Sequence, residues 1–97
     1  MIYLDNAATT KVNKKVLESM MPYFSEIYCN PSAVYSFATK GRIAIEEARN
    51  HTAKLIGASD MEIYFTSGGS ESDNWAIKAV AESFSDKGKH IITTKIE

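Results

Sequence analysis

A single cysteine, Cys29, leaves this 97-residue chain without a disulfide framework, and two prolines with five glycines exclude a collagen-like or proline-rich polymer. No apolar run approaches the ~20 residues that cross a bilayer. Eleven Lys and Arg stand against twelve Asp and Glu, a net charge of −1. Polyanion binding needs a basic surplus on one face, so a nucleic-acid or membrane-surface protein is excluded. The opening MIYLDNAATTK has a charge at its fifth residue and no apolar stretch of signal-peptide length. With the lone thiol, this makes the cytoplasm the expected compartment. What is present is a chain that is 44% hydrophobic, enough for one small core and at most one domain.

Residues 1–10 read as an irregular arm, with Asp5-Asn6 favouring a turn. From Asn13, a plausible helix cap, Val16, Leu17, Met20, Phe24 and Ile27 recur at helical spacing. Pro22 interrupts that run and predicts a break near Met21, because proline removes a backbone donor and clashes with the preceding turn. Cys29-Asn30-Pro31-Ser32 reads as a loop. A second helix is expected over 35–56, with Ile45, Ala48, Thr52 and Leu55 inside, Glu46, Glu47, Arg49 and Lys54 outside, and Gly57 as its stop. Residues 62–66 have strand composition, 67–70 form a turn, 70–84 carry a third helical period, and 90–94 read as another strand. Strand, glycine turn, helix, strand is a βαβ unit of a parallel sheet, so the fold class is α/β.

The chemistry concentrates in Thr66-Ser67-Gly68-Gly69-Ser70-Glu71-Ser72-Asp73-Asn74, between strand and helix. A helix start offers unpaired N–H groups and partial positive charge, glycines leave those amides accessible, and the Ser67 and Ser70 hydroxyls add donors. The segment matches neither the nucleotide P-loop nor the dinucleotide-binding glycine pattern. On residues alone two readings stay open. One is a phosphate cradle; the other is a tight turn with Ser70 capping the helix and Asp73 in the capping-box position. Glu71 and Asp73 weigh against an anion, since carboxylates in the first turn compete for the same field.

Three stretches together settle on a family: Tyr3-Leu4-Asp5-Asn6-Ala7-Ala8-Thr9-Thr10, Asn30-Pro31-Ser32 and Phe65-Thr66-Ser67-Gly68-Gly69-Ser70-Glu71-Ser72-Asp73-Asn74. In order and spacing they resemble the opening of the cysteine desulfurases, NifS-like pyridoxal-phosphate enzymes related to class-V aminotransferases. The resemblance implies an incomplete N-terminal part of a fold-type-I transferase. Residues 1–34 would be the arm and small-domain helix, and 35–97 the linking helix and start of the large α/β domain. It implies that the coenzyme phosphate is held by the Gly69 amide and by the Ser70 amide and hydroxyl. It further implies L-cysteine as substrate of the full enzyme, a sulfur-acceptor or scaffold protein for iron–sulfur or thio-cofactor assembly, and a homo-oligomer. Tyr35 and Ala38 depart from the histidine and glycine of many relatives, and no role is assigned to Tyr35.

The family's ring-stacking histidine, ring-nitrogen aspartate, coenzyme lysine and sulfur-accepting cysteine have no counterparts in these residues. The chain alone is therefore expected to be inactive, with no catalytic residue assigned. Cys29 reads as a structural thiol, and Lys78, Lys87, Lys89 and Lys95 as solvated charges. His51 and His90 lack neighbours at ligand spacing, so no metal site is expected. Trp75 and Tyr64 read as packing under the helix rather than stacking on a ring. Competing readings are a non-catalytic α/β fragment that oligomerises without cofactor, and a selenocysteine lyase or aminotransferase relative.

Overall fold

A computed structural model describes residues 2–96; Met1, at the head of the expected arm, and Glu97 lie outside them. The chain divides into two compact units, one ending at Ile63 and the other beginning at Tyr64. In the first unit the arm makes the Asp5-Asn6 turn, with the Ala8 N–H donating to the Asp5 carbonyl at 3.2 Å. Helix α1 (Lys14–Met20) starts where the Asn13 side chain accepts the Lys15 N–H at 2.9 Å. Such a cap satisfies one of the orphan donors of the first turn. Met21 closes α1 and opens the short α2 (Pro22–Ser25), with Pro22 in the first turn, where its missing N–H costs nothing.

After α2, the Asn30 side chain accepts the Ser32 N–H at 3.0 Å and turns the chain at Pro31. A 3₁₀ turn, Ser36–Ala38, leads into α3 (Thr39–Ile56). The Cys29 thiol donates to the Phe37 carbonyl at 3.1 Å, and the Tyr28 and Phe37 rings meet edge to face at 5.8 Å. Gly57 ends α3 at φ +70°, a left-handed conformation that glycine adopts without the Cβ penalty. The chain then makes a second 3₁₀ turn, Asp60–Glu62, fixed by a capping box in which the Ser59 N–H donates to the Glu62 carboxylate at 2.7 Å.

The face of α3 that is covered is not the expected stripe. Gly41 and Ala53 are buried, whereas Ile45, Ala48 and Leu55 are exposed, Leu55 at 85%. Arg49, expected in water, is half-buried and donates to the Ile63 carbonyl. Asn50 donates to both carboxylate oxygens of Asp60, at 3.2 and 3.1 Å. The reason is packing: the segment returning after Gly57 lies along the Arg49, Asn50 and Ala53 side, so that side is covered whatever its polarity.

In the second unit, α4 (Gly69–Ser83) follows the glycine turn. Neither expected strand is formed: among the described residues none lies in a β-ladder. Ile63 has extended backbone, φ −100° and ψ 125°, so the conformation is present and the pairing is not. A ladder needs adjacent partners, and parallel sheets are stable when several strands are covered on both faces. The βαβ unit therefore exists here as a helix between two unpaired segments. Ile77, Val80, Phe84 and Ile91 stay 48 to 63% exposed. Ala76, Ala81 and three of these aliphatic residues, Ile77, Val80 and Ile91, line an open apolar groove of about 350 Å³.

Candidate functional site

The turn into α4 is organised by its own hydroxyls and one carboxylate. The Thr66 and Ser72 hydroxyl oxygens lie 2.6 Å apart, and each is 3.2 Å from the Gly68 carbonyl oxygen. Two hydroxyl protons serve three contacts, so whichever hydroxyl donates to its neighbour, the other donates to that carbonyl. The Ser72 N–H also donates to it at 3.2 Å. Gly68 C=O is thereby held back along the helix. In a trans peptide the N–H of the same unit points the opposite way, so the Gly69 amide is directed off the end of α4.

Ser72 makes the first intrahelical bond, which leaves the Gly69, Ser70 and Glu71 N–H groups without helical acceptors. Gly68 is extended at φ 164°, a conformation open to any residue. Glycine here contributes bareness instead: a Cβ added at Gly68 or Gly69 would meet nothing within 4 Å. The approach to these amides is open.

Ser70 is not the cap. The N-cap is Gly68, without a side-chain bond, and the Ser70 hydroxyl has no partner among the described residues. Its carbonyl accepts the Asn74 side-chain amide at 2.8 Å. Asp73 forms no capping box. That role falls to Glu71, whose Oε2 accepts both the Ser67 N–H at 2.6 Å and the Ser67 hydroxyl at 2.7 Å. These bonds, the backbone one first, hold the Glu71 carboxyl below the ordinary glutamate range. Ser67, expected to donate to a ligand, thus spends both donors on Glu71. The spacing Ser67-x-x-x-Glu71 is one residue longer than a capping box, which is why pattern reading overlooked it.

Tyr64 and Trp75 meet edge to face, with centroids 5.1 Å apart, so each ring packs on the other. An open groove of about 580 Å³ runs along α4 from Ser70 past Asn74, Trp75 and Lys78 to Glu82. Lys87 sits 4.7 Å over the Phe84 ring, a cation–π contact at the helix end. No group of three His, Cys, Asp or Glu that could hold a metal occurs among the described residues. No helix there is long and apolar enough to cross a membrane.

The entrance to α4 is open, with the Gly69 amide directed off the helix end and the Ser70 hydroxyl without a partner among the described residues, and comparison with known proteins gives the chain a family. Residues 2–97 match the class-V aminotransferase family, to which this chain belongs. It is 54% identical over 96 residues to the cysteine desulfurase IscS of Methanosarcina thermophila and 56% identical over 96 residues to that of Dictyoglomus turgidum. These alignments take in 99% of this chain and 24% of each relative. Among solved structures, a NifS-like protein superposes with a TM-score of 0.78 at 42% identity, covering 84% of this chain and 22% of that one. The chain shares the fold of the matched part of that protein and spans about a quarter of the length of its curated relatives.

Proposed function

We propose that this chain is the N-terminal part of a pyridoxal-phosphate-dependent cysteine desulfurase of fold type I, and that its contribution to the reaction is to hold the coenzyme phosphate. One observation carries the reading: in a chain of this family, the Gly69 amide and the Ser70 amide and hydroxyl have no partner among the described residues, stand at a helix start and are open to approach. The donors fit a phosphate, which takes several hydrogen bonds on separate oxygens and is favoured by the positive end of α4. When bound, the coenzyme supplies an electron sink for the substrate carbon. What Gly69 and Ser70 do is bind and orient it, so that its reactive end is presented to groups elsewhere in the enzyme.

In this reading residues 1–34 are the arm and small-domain helix, and 35–97 open the large α/β domain. Segments 62–66 and 90–94 become parallel strands when neighbouring strands flank them, completing the βαβ unit. The substrate is L-cysteine, with sulfur passed to an acceptor or scaffold protein for iron–sulfur or thio-cofactor assembly by a cytoplasmic homo-oligomer. The exposed aliphatic groove on α4 supports burial against further protein.

The test is a titration of the isotopically labelled chain with pyridoxal phosphate. The expected result is a saturable chemical-shift change centred on Gly69 and Ser70, reproduced by inorganic phosphate. Shifts that leave those two amides unmoved would remove the assignment.

A further inference from the structure

The carboxylate of Glu71 stands in the first turn of α4, where a bound phosphate and a negative side chain compete for the same field. The geometry assigns it a different part. Resting on the phosphate-site reading above, we propose that Glu71 is a positioning residue. By clasping Ser67 through both its N–H and its hydroxyl, it fixes the strand-side half of the turn and leaves Gly69 and Ser70 as the anion donors.

The turn has two halves. On the helix side, Thr66 and Ser72 hold the Gly68 carbonyl and so aim the Gly69 N–H outward. On the strand side, the Glu71 carboxylate holds Ser67 at 2.6 Å to the amide and 2.7 Å to the hydroxyl. Both bonds end on one oxygen, so their directions converge and Ser67 has little freedom to rotate. Without them Ser67 loses both of its bonds to the helix, and the bare Gly68 beside it, where an added Cβ would meet nothing within 4 Å, adds no steric limit. Ordering the donors before a ligand arrives lowers the entropy lost on binding. The clasp also withdraws Ser67 from ligand binding, so a bound anion is placed by Gly69 and Ser70.

Competition and positioning predict opposite signs. A competitor, once removed, strengthens anion binding; a positioning residue, once removed, weakens it. Glu71→Ala removes both charge and acceptor. Glu71→Gln removes the charge and keeps one amide oxygen able to accept both Ser67 bonds. Inorganic phosphate is titrated into the labelled wild-type chain and both variants, reading the Gly69 and Ser70 amides. Hydrogen exchange of the Ser67 amide reports the clasp itself, and far-ultraviolet circular dichroism reports α4.

The expected result is that Glu71→Ala binds phosphate about three- to tenfold more weakly with faster Ser67 exchange. Glu71→Gln restores slow exchange and binds at least as tightly as wild type. Tighter binding by Glu71→Ala, or equal binding by all three, overturns the positioning role while leaving the phosphate site standing. A wild-type chain without phosphate shifts at Gly69 and Ser70 overturns the site reading and the positioning role with it. Should Glu71→Ala lose helix, Glu71→Gln decides: wild-type affinity supports the clasp, and weakened affinity with intact helix refutes it.

Discussion

Replacing Ser70 by alanine separates binding from folding, because its hydroxyl has no partner among the described residues. Removing it breaks no internal bond and leaves no buried group unsatisfied. Alanine is also the better helix former, by a few tenths of a kcal/mol. Stability and helix content should therefore be unchanged or slightly raised. Phosphate binding loses one hydrogen bond to a charged acceptor, worth about 1.5–3 kcal/mol where water is excluded. Ser70 is exposed, so solvent competes and the lower end applies. About 1.4 kcal/mol is tenfold in the dissociation constant. Calorimetric or chemical-shift titration of the Ser70→Ala chain should thus show roughly tenfold weaker phosphate affinity beside an unaltered urea melt, while Ser70→Thr keeps the hydroxyl and the affinity. An affinity within twofold of wild type would refute the hydroxyl's role, and a collapse of helix content would refute the structural premise that it has no internal duty.

Two glycines, one within α3 and one capping its end, should respond oppositely to alanine. Gly57→Ala forces a side chain to φ +70° and should lower stability by about 1–2 kcal/mol, whereas Gly41→Ala, whose new Cβ would meet neighbours only at 3.9 Å, should raise it by about 0.8 kcal/mol. Urea melts of both variants check the pair, and equal shifts would contradict the backbone assignment. Glu62 and Glu71 are both held below the ordinary glutamate range, each by a backbone then a side-chain hydrogen bond, from Ser59 and Ser67 respectively. Lowered folded values mean that their contribution is complete above the unfolded glutamate pKa and disappears as pH falls through the folded value. Carboxyl carbon shifts should show both titrating at lower pH than in the urea-unfolded chain. Val80→Lys should shift the isolated chain towards monomer in light scattering, because Val80 lies on the exposed aliphatic face of α4; an unchanged mass would locate association elsewhere.

Features whose causes are local were legible in the sequence. Asn13 caps α1, Pro22 breaks the helix at Met21, Gly57 stops α3 at positive φ, and α4 begins within one residue of expectation. Each depends on groups a few positions apart. The inner stripe of α3 was not legible, since periodicity shows that a helix has faces and not which one a neighbour covers; Arg49 and Ala53 were chosen by the segment returning past Ser59. The strands failed for a related reason: composition supplies extended backbone, and pairing must come from other strands. At the entrance to α4, the Gly69 amide and the Ser70 hydroxyl are open and without partners among the described residues. The role of Glu71 was hidden because charge argued one way and hydrogen bonding the other.

The side-chain bonds of Thr66, Ser67, Glu71 and Ser72 at the entrance to α4 join residues no more than six positions apart. Closing so small a loop costs little entropy and takes well under a microsecond. The turn can consequently take shape during synthesis, soon after Ser72 clears the ribosome, ahead of any contact between residues far apart in the sequence.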